Sequence, residues 1–76
     1  MRDRIRSIIA AELDVAEAEV PADASAETFA PWDSLGHLRI VTAIEEQLGV
    51  HFTTAQIPEL TSIDKLIAAL AALGRA

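Results

Sequence analysis

Three stretches of this chain repeat apolar side chains at helical spacing, and the first two are separated by a long run that repeats nothing. Ile5, Ile8, Ile9 and Leu13 recur every three or four residues with Arg4, Arg6 and Glu12 elsewhere, so the spacing predicts an amphipathic helix from Arg2 to about Leu13. Leu38, Val41, Ile44 and Leu48 predict a second helix from Ser34 to about Leu48, and Ile63, Leu66, Ile67, Leu70 and Leu73 predict a last one. Residues 14–31 carry Pro21, Ser25 and Pro31 among small and acidic residues and read as an ordered loop. Connections usually run to about 4–6 residues, so one this long needs anchors. Val15, Val20 and Phe29 are apolar enough to pin it across a helical bundle.

Local signals punctuate these elements. Asp33 is placed to cap the second helix by accepting the amide of Gly36, and Gly49 suits the left-handed conformation that closes helices. Thr53 or Thr54 caps a short turn over Ala55, Gln56 and Ile57, which Pro58 limits. Thr61 or Ser62 then opens the last helix and Gly74 stops it. Hydrophobic residues make up 51% of the 76 but aromatics only 4%, so the core is assembled from aliphatic side chains on helices, which favours an all-α bundle. A single domain of this length buries only about 60% of its unfolded surface and has a thin margin of stability.

The formal net charge of -6 argues against a nucleic-acid surface, which needs clustered Lys and Arg, and points to basic partners. Arg2, Arg4 and Arg6 gather at one end and read as a solvated helix face. The absence of cysteine removes disulfides and thiolate metal sites and fits the cytoplasm. Residues 7–11 are too short for a secretory core and are closed by Glu12, and residues 66–73 fall well below the ~20 that a membrane span needs, so no membrane association is expected. His37 and His51 form no metal-ligand spacing.

Chemistry concentrates at Ser34, a hydroxyl beside an acid where loop turns into helix. There it stands among unpaired backbone N–H groups at the positive end of the helix dipole, an environment that tolerates a phosphate ester. The plain alternative is an ordinary helix-start serine. A Ser34–His37 nucleophilic dyad fails on geometry, since three residues along a helix is a poor path for proton transfer and nothing completes a triad or an oxyanion hole.

Asp33-Ser34-Leu35, the run from Ile40 to Val50 with its Ile44-Glu45-Glu46-Gln47-Leu48-Gly49-Val50, the long preceding loop and the short apolar last helix together resemble the acyl carrier protein family over nearly the whole chain. The resemblance implies an all-α, four-helix bundle with a long first loop and, in this chain, a short third helix. It implies that Ser34 bears 4'-phosphopantetheine from coenzyme A, and that Asp33 both caps the helix and assists the transferase beside the acceptor hydroxyl. Leu35 is expected to be half core and half docking surface, with burial favoured. Trp32 either closes the end of the bundle or offers its ring to partners. Gly36 either leaves space near the arm or occupies a tolerant surface position. With these, His37, Arg39, Glu45 and Glu46 make up the expected docking residues.

Arg39 departs from the pattern, because many carriers place an acid there, and this sign reversal points away from the standard fatty-acid enzymes towards a dedicated partner set. Aspartate before the serine resembles acyl carriers more than the G-G-x-S of peptidyl carriers. The expectation is therefore a monomeric, non-enzymatic acyl carrier of polyketide or other secondary metabolism, served by a phosphopantetheinyl transferase, a loading ligase and downstream synthase or transferase enzymes. The alternatives are an aminoacyl carrier loaded by a dedicated amino-acid ligase and an unmodified helical interaction module.

Overall fold

A computed structural model describes residues 1–75. Among these residues there are three α-helices and no strand: α1 (Arg2–Leu13), α2 (Ser34–Leu48) and α3 (Ile63–Ala72). The bounds predicted for the first two helices are the observed ones. The third helix of the expected four is not formed. In its place lie a turn over residues 54–56 and a single 3-10 turn, Ile57–Glu59, with Pro58 inside it rather than after it. Thr53 Oγ1 accepts the Gln56 amide at 3.1 Å while Gln56 Oε1 accepts the Thr53 amide at 2.8 Å, a reciprocal cap that satisfies the turn locally and removes the need for a longer helix.

α2 and α3 carry the terminal signals their sequences offer. Asp33 Oδ1 accepts the Gly36 amide at 2.7 Å, Ser62 accepts the Lys65 amide at 3.0 Å, and Gly49 closes α2 with φ 64°. α1 stops on Asp14, a non-glycine residue at φ 56°, whose amide returns to the Ala10 carbonyl.

The core is aliphatic: Ile5, Ile8 and Ile9 of α1, Ile40, Val41 and Ile44 of α2, and Ile63, Leu66 and Leu70 of α3, with Phe52 and Trp32 sealed among them. Leu38 and Leu73, placed in the buried stripes by periodicity, are instead exposed. α1 and α2 run antiparallel: Leu13, at the end of α1, lies against the first turn of α2, and Arg4, at its start, reaches the Gln47 carbonyl at the end of α2.

The long loop is held by more than its apolar anchors. Val20 and Ala24 are fully buried, Val15 and Phe29 half-buried, and a 3-10 turn, Glu17–Glu19, interrupts it. The arginines of α1 lie on an exposed face, Arg2 and Arg4 open to solvent and Arg6 half-buried, yet they also brace the loop. Arg6 donates to the carbonyls of Val20 and Glu17 at 2.8 and 3.0 Å, and Arg2 donates to the Ala22 carbonyl at 2.7 Å while pairing with Asp64 at 2.6 Å. Guanidinium groups near a helix N-terminus oppose the dipole. Here their long stems carry the charge away from the axis to loop carbonyls that have no ladder of their own. Farther along, the Ala26 amide donates to the Thr61 carbonyl and the Ile63 amide to the Ala24 carbonyl, so residues 24–26 form a short antiparallel bridge with the head of α3.

Candidate functional site

Ser34 is the first residue of α2 and is exposed. The loop delivers it by a tight sequence of bonds: the Trp32 amide to the Phe29 carbonyl, the Asp33 amide to the Pro31 carbonyl, then the Asp33 carbonyl accepting the His37 amide as the first bond of the helix. The cap uses one carboxylate oxygen of Asp33 and leaves the other outside it, on the residue next to Ser34.

Gly36 makes this close turn possible. A Cβ there would stand 2.5 Å from Leu13 Cδ2, 3.1 Å from the capping oxygen of Asp33 and 3.2 Å from the Pro31 carbonyl oxygen. The bare backbone lets α1, the end of the loop and the cap converge on one point. Gly36 is therefore buried and required, neither a tolerant surface position nor a docking residue.

Burial removes two more expected docking residues from the surface. Trp32 is 2% exposed and His37 9%. The indole Nε1–H donates to His37 Nδ1 at 3.0 Å, and His37 Nε2 meets the Ile57 carbonyl at 2.6 Å. Trp32 thus closes the end of the bundle, and both imidazole nitrogens are engaged away from Ser34, which leaves no general base for a hydrolytic dyad.

Glu45 is half-buried and accepts the Phe52 amide at 2.8 Å, with the exposed His51 3.3 Å from the same carboxylate oxygen, so it fastens the end of α2 to the following segment. Arg39 and Glu46 are exposed, as a docking surface requires. Leu35 is 58% exposed rather than buried, and Leu38 is 54% exposed. These two leucines, one turn apart, make the apolar part of the free face next to Ser34. The reading from sequence missed Leu38 because helical spacing counts it into the core stripe; its place three residues from Leu35 was the available signal.

Ser34 also borders an open cleft of about 620 Å³ between α2 and the 57–59 turn, walled by Leu38, Ala26, Ile57, Pro58 and Thr61, with Trp32 and His37 lining it as well. Nothing in the sequence marks Ala26 or Thr61 as its wall; the antiparallel bridge puts them there. Among the described residues no cluster of His, Asp or Glu suits a metal ion, and no helix is long and apolar enough to cross a membrane.

The sequence matches the model of the phosphopantetheine attachment-site family over residues 3–70, and the chain belongs to that family. It is thus a non-catalytic carrier of covalently attached 4'-phosphopantetheine, and carriers of this kind work with a phosphopantetheinyl transferase and with synthase enzymes. The residues present fit the group: an exposed hydroxyl at the positive end of a 15-residue helix, capped by a carboxylate with an oxygen to spare, and an adjoining cleft.

Proposed function

We propose that Ser34 Oγ is the attachment atom and that the chain carries an acyl intermediate in a specialised biosynthetic pathway. The observation that carries this reading is the exposure of Ser34 at the head of α2, where Asp33, Gly36 and Leu13 hold the backbone rigidly while the side chain faces solvent. The arm supplies a terminal thiol on which cargo rides as a thioester, chemistry that a chain without cysteine lacks among its own side chains.

The protein's own residues have distinct parts. Asp33 orders the first turn through its cap, and its second carboxylate oxygen is left for the transferase step at the neighbouring hydroxyl. Leu35 and Leu38 offer apolar contact to the transferase and to loading and synthase enzymes, and Arg39 and Glu46, one heptad apart on α2, set charge preference. The mostly apolar walls of the cleft, Leu38, Ala26, Ile57 and Pro58, favour an acyl cargo over a charged aminoacyl one. An exposed arginine where the family often presents an acid supports a dedicated partner set of the polyketide or related secondary-metabolite kind.

Incubation with coenzyme A and a broad-specificity phosphopantetheinyl transferase, read by intact mass, tests the assignment. The wild type is expected to gain one arm and Ser34→Ala none. A wild type that stays unmodified, or a Ser34→Ala protein that is modified, overturns it.

A further inference from the structure

The Trp32–His37–Ile57 chain of hydrogen bonds has a fixed direction. An indole N–H only donates, so His37 Nδ1 accepts, and Nε2 must then hold the ring's single proton and donate it to the Ile57 carbonyl. This neutral tautomer is the one form of the ring that satisfies all three groups. It ties the 3-10 turn that walls the cleft to the first turn of α2 and to Trp32, whereas the loop end and that first turn are also joined through Asp33.

The surrounding elements carry charged side chains, among them Asp33 at the loop end, Arg39, Glu45 and Glu46 on α2, Glu59 on the turn, and Asp64 and Lys65 on α3. His37's polar partners are the indole and the carbonyl instead. Its ring lies 6.1 Å from the indole ring, centroid to centroid, at an interplanar angle of 22°, so packing and hydrogen bonding hold it in one orientation.

We propose that His37 is a positioning residue for modification of Ser34: its Nε2-protonated imidazole holds the Ser34 turn and the opposite wall of the cleft in the arrangement that the transferase engages. This rests on Ser34 as the attachment residue. Without the tie, the Trp32 side chain and residues 57–59 sample a wider set of arrangements relative to the Ser34 turn, of which the transferase binds a fraction. The KM for the carrier then rises by the inverse of that fraction while kcat, set by chemistry in the assembled complex, is preserved.

His37→Phe keeps the ring volume and loses both bonds. His37→Gln carries an amide N–H able to reach the Ile57 carbonyl, and His37→Asn carries an oxygen near the place of Nδ1. Transferase kinetics with coenzyme A, at varied carrier concentration, are expected to show KM raised about tenfold in His37→Phe, where the competent fraction falls to a tenth, with kcat within about twofold. His37→Gln and His37→Asn recover part of the loss. Trp32→Phe raises KM without adding to His37→Phe, because either change removes the same tie. Ile9→Val, a core trim in α1, leaves KM unchanged.

In the unmodified wild type, imidazole 15N shifts are expected to report an Nε2–H tautomer, with the Trp32 indole N–H shifted from its position in His37→Phe. An Nδ1–H tautomer overturns the proposal, and so does an unchanged KM in His37→Phe, Gln and Asn proteins whose endpoint masses show full modification. If His37→Phe fails to fold, the Gln and Asn variants and the wild-type tautomer decide. A wild type that is never modified refutes the assignment of Ser34, whereas the tautomer test stands independently of it.

Discussion

The two irregular connections, residues 14–33 and 50–62, are held by opposite strategies. The first borrows donors from a distant helix: Arg6 and Arg2 of α1 reach carbonyls of Glu17, Val20 and Ala22, and Val20 and Ala24 are sealed in the core. The second is satisfied by short-range exchanges, Thr53 with Gln56 and Glu45 with the Phe52 amide, and touches the functional end of α2 through the Ile57 carbonyl alone among the side-chain bonds. A connection fixed by several distributed bonds moves little when one is lost. Within the second connection the 57–59 turn meets the head of α2 through one imidazole, so loss of that imidazole is expected to loosen this turn first.

Four substitutions test the contrast, from the largest effect to the smallest. His37→Phe leaves a buried indole N–H and the Ile57 carbonyl without partners, at about 1–3 kcal/mol each, for a loss of about 3 kcal/mol in denaturant unfolding. Its faster amide exchange should be confined to residues 32–37 and 53–60; a spread into residues 17–26 would break the comparison. Arg6→Ala removes two charge-assisted bonds from a half-buried guanidinium and costs about 2 kcal/mol, with exchange rising across residues 17–24 and not in the second connection.

Gly36→Ala gains about 1 kcal/mol of helix propensity. It also crowds Leu13, Asp33 and Pro31, and overpacking of this kind costs ~1–3 kcal/mol. A net loss near 1 kcal/mol is expected, with slower Ser34 modification as the cap shifts, and a stabilised variant would show that the crowding relaxes freely. Arg2→Ala, whose partner Asp64 is largely exposed, should cost under ~1 kcal/mol, and the loss should shrink further at high salt.

What the sequence disclosed follows from what its signals measure. Caps and glycine stops are local chemistry, so the Asp33–Gly36 bond, the Ser62 cap and the Gly49 turn are readable, and with them the bounds of α2, while the bounds of α1 follow from periodicity alone. Periodicity counts apolar residues but does not orient a wide stripe. α2 is apolar at Leu35, Leu38, Ile40, Val41, Ala43 and Ile44, and which edge turns outward depends on where α1 and the loop pack. Leu35 and Leu38 were therefore assigned inward when they face solvent.

The bracing role of Arg2 and Arg6 was hidden because their carbonyl acceptors lie 11 to 20 residues away in a loop without apolar periodicity. His37 looked like a surface group for the same reason, its partners being set by the fold. The missing third helix reflects a local exchange of amide bonds that propensity alone does not rank against a further helical turn.

The antiparallel bridge between residues 24–26 and the head of α3 gives the cleft unequal sides. Ala26 and Thr61 share one backbone rung, so that margin behaves as a stiff rail, braced again by the Ala24–Ile63 bond behind it. Any widening to admit a bulkier guest is therefore expected at the margin formed by Ile57 and Pro58, which lacks such a rung.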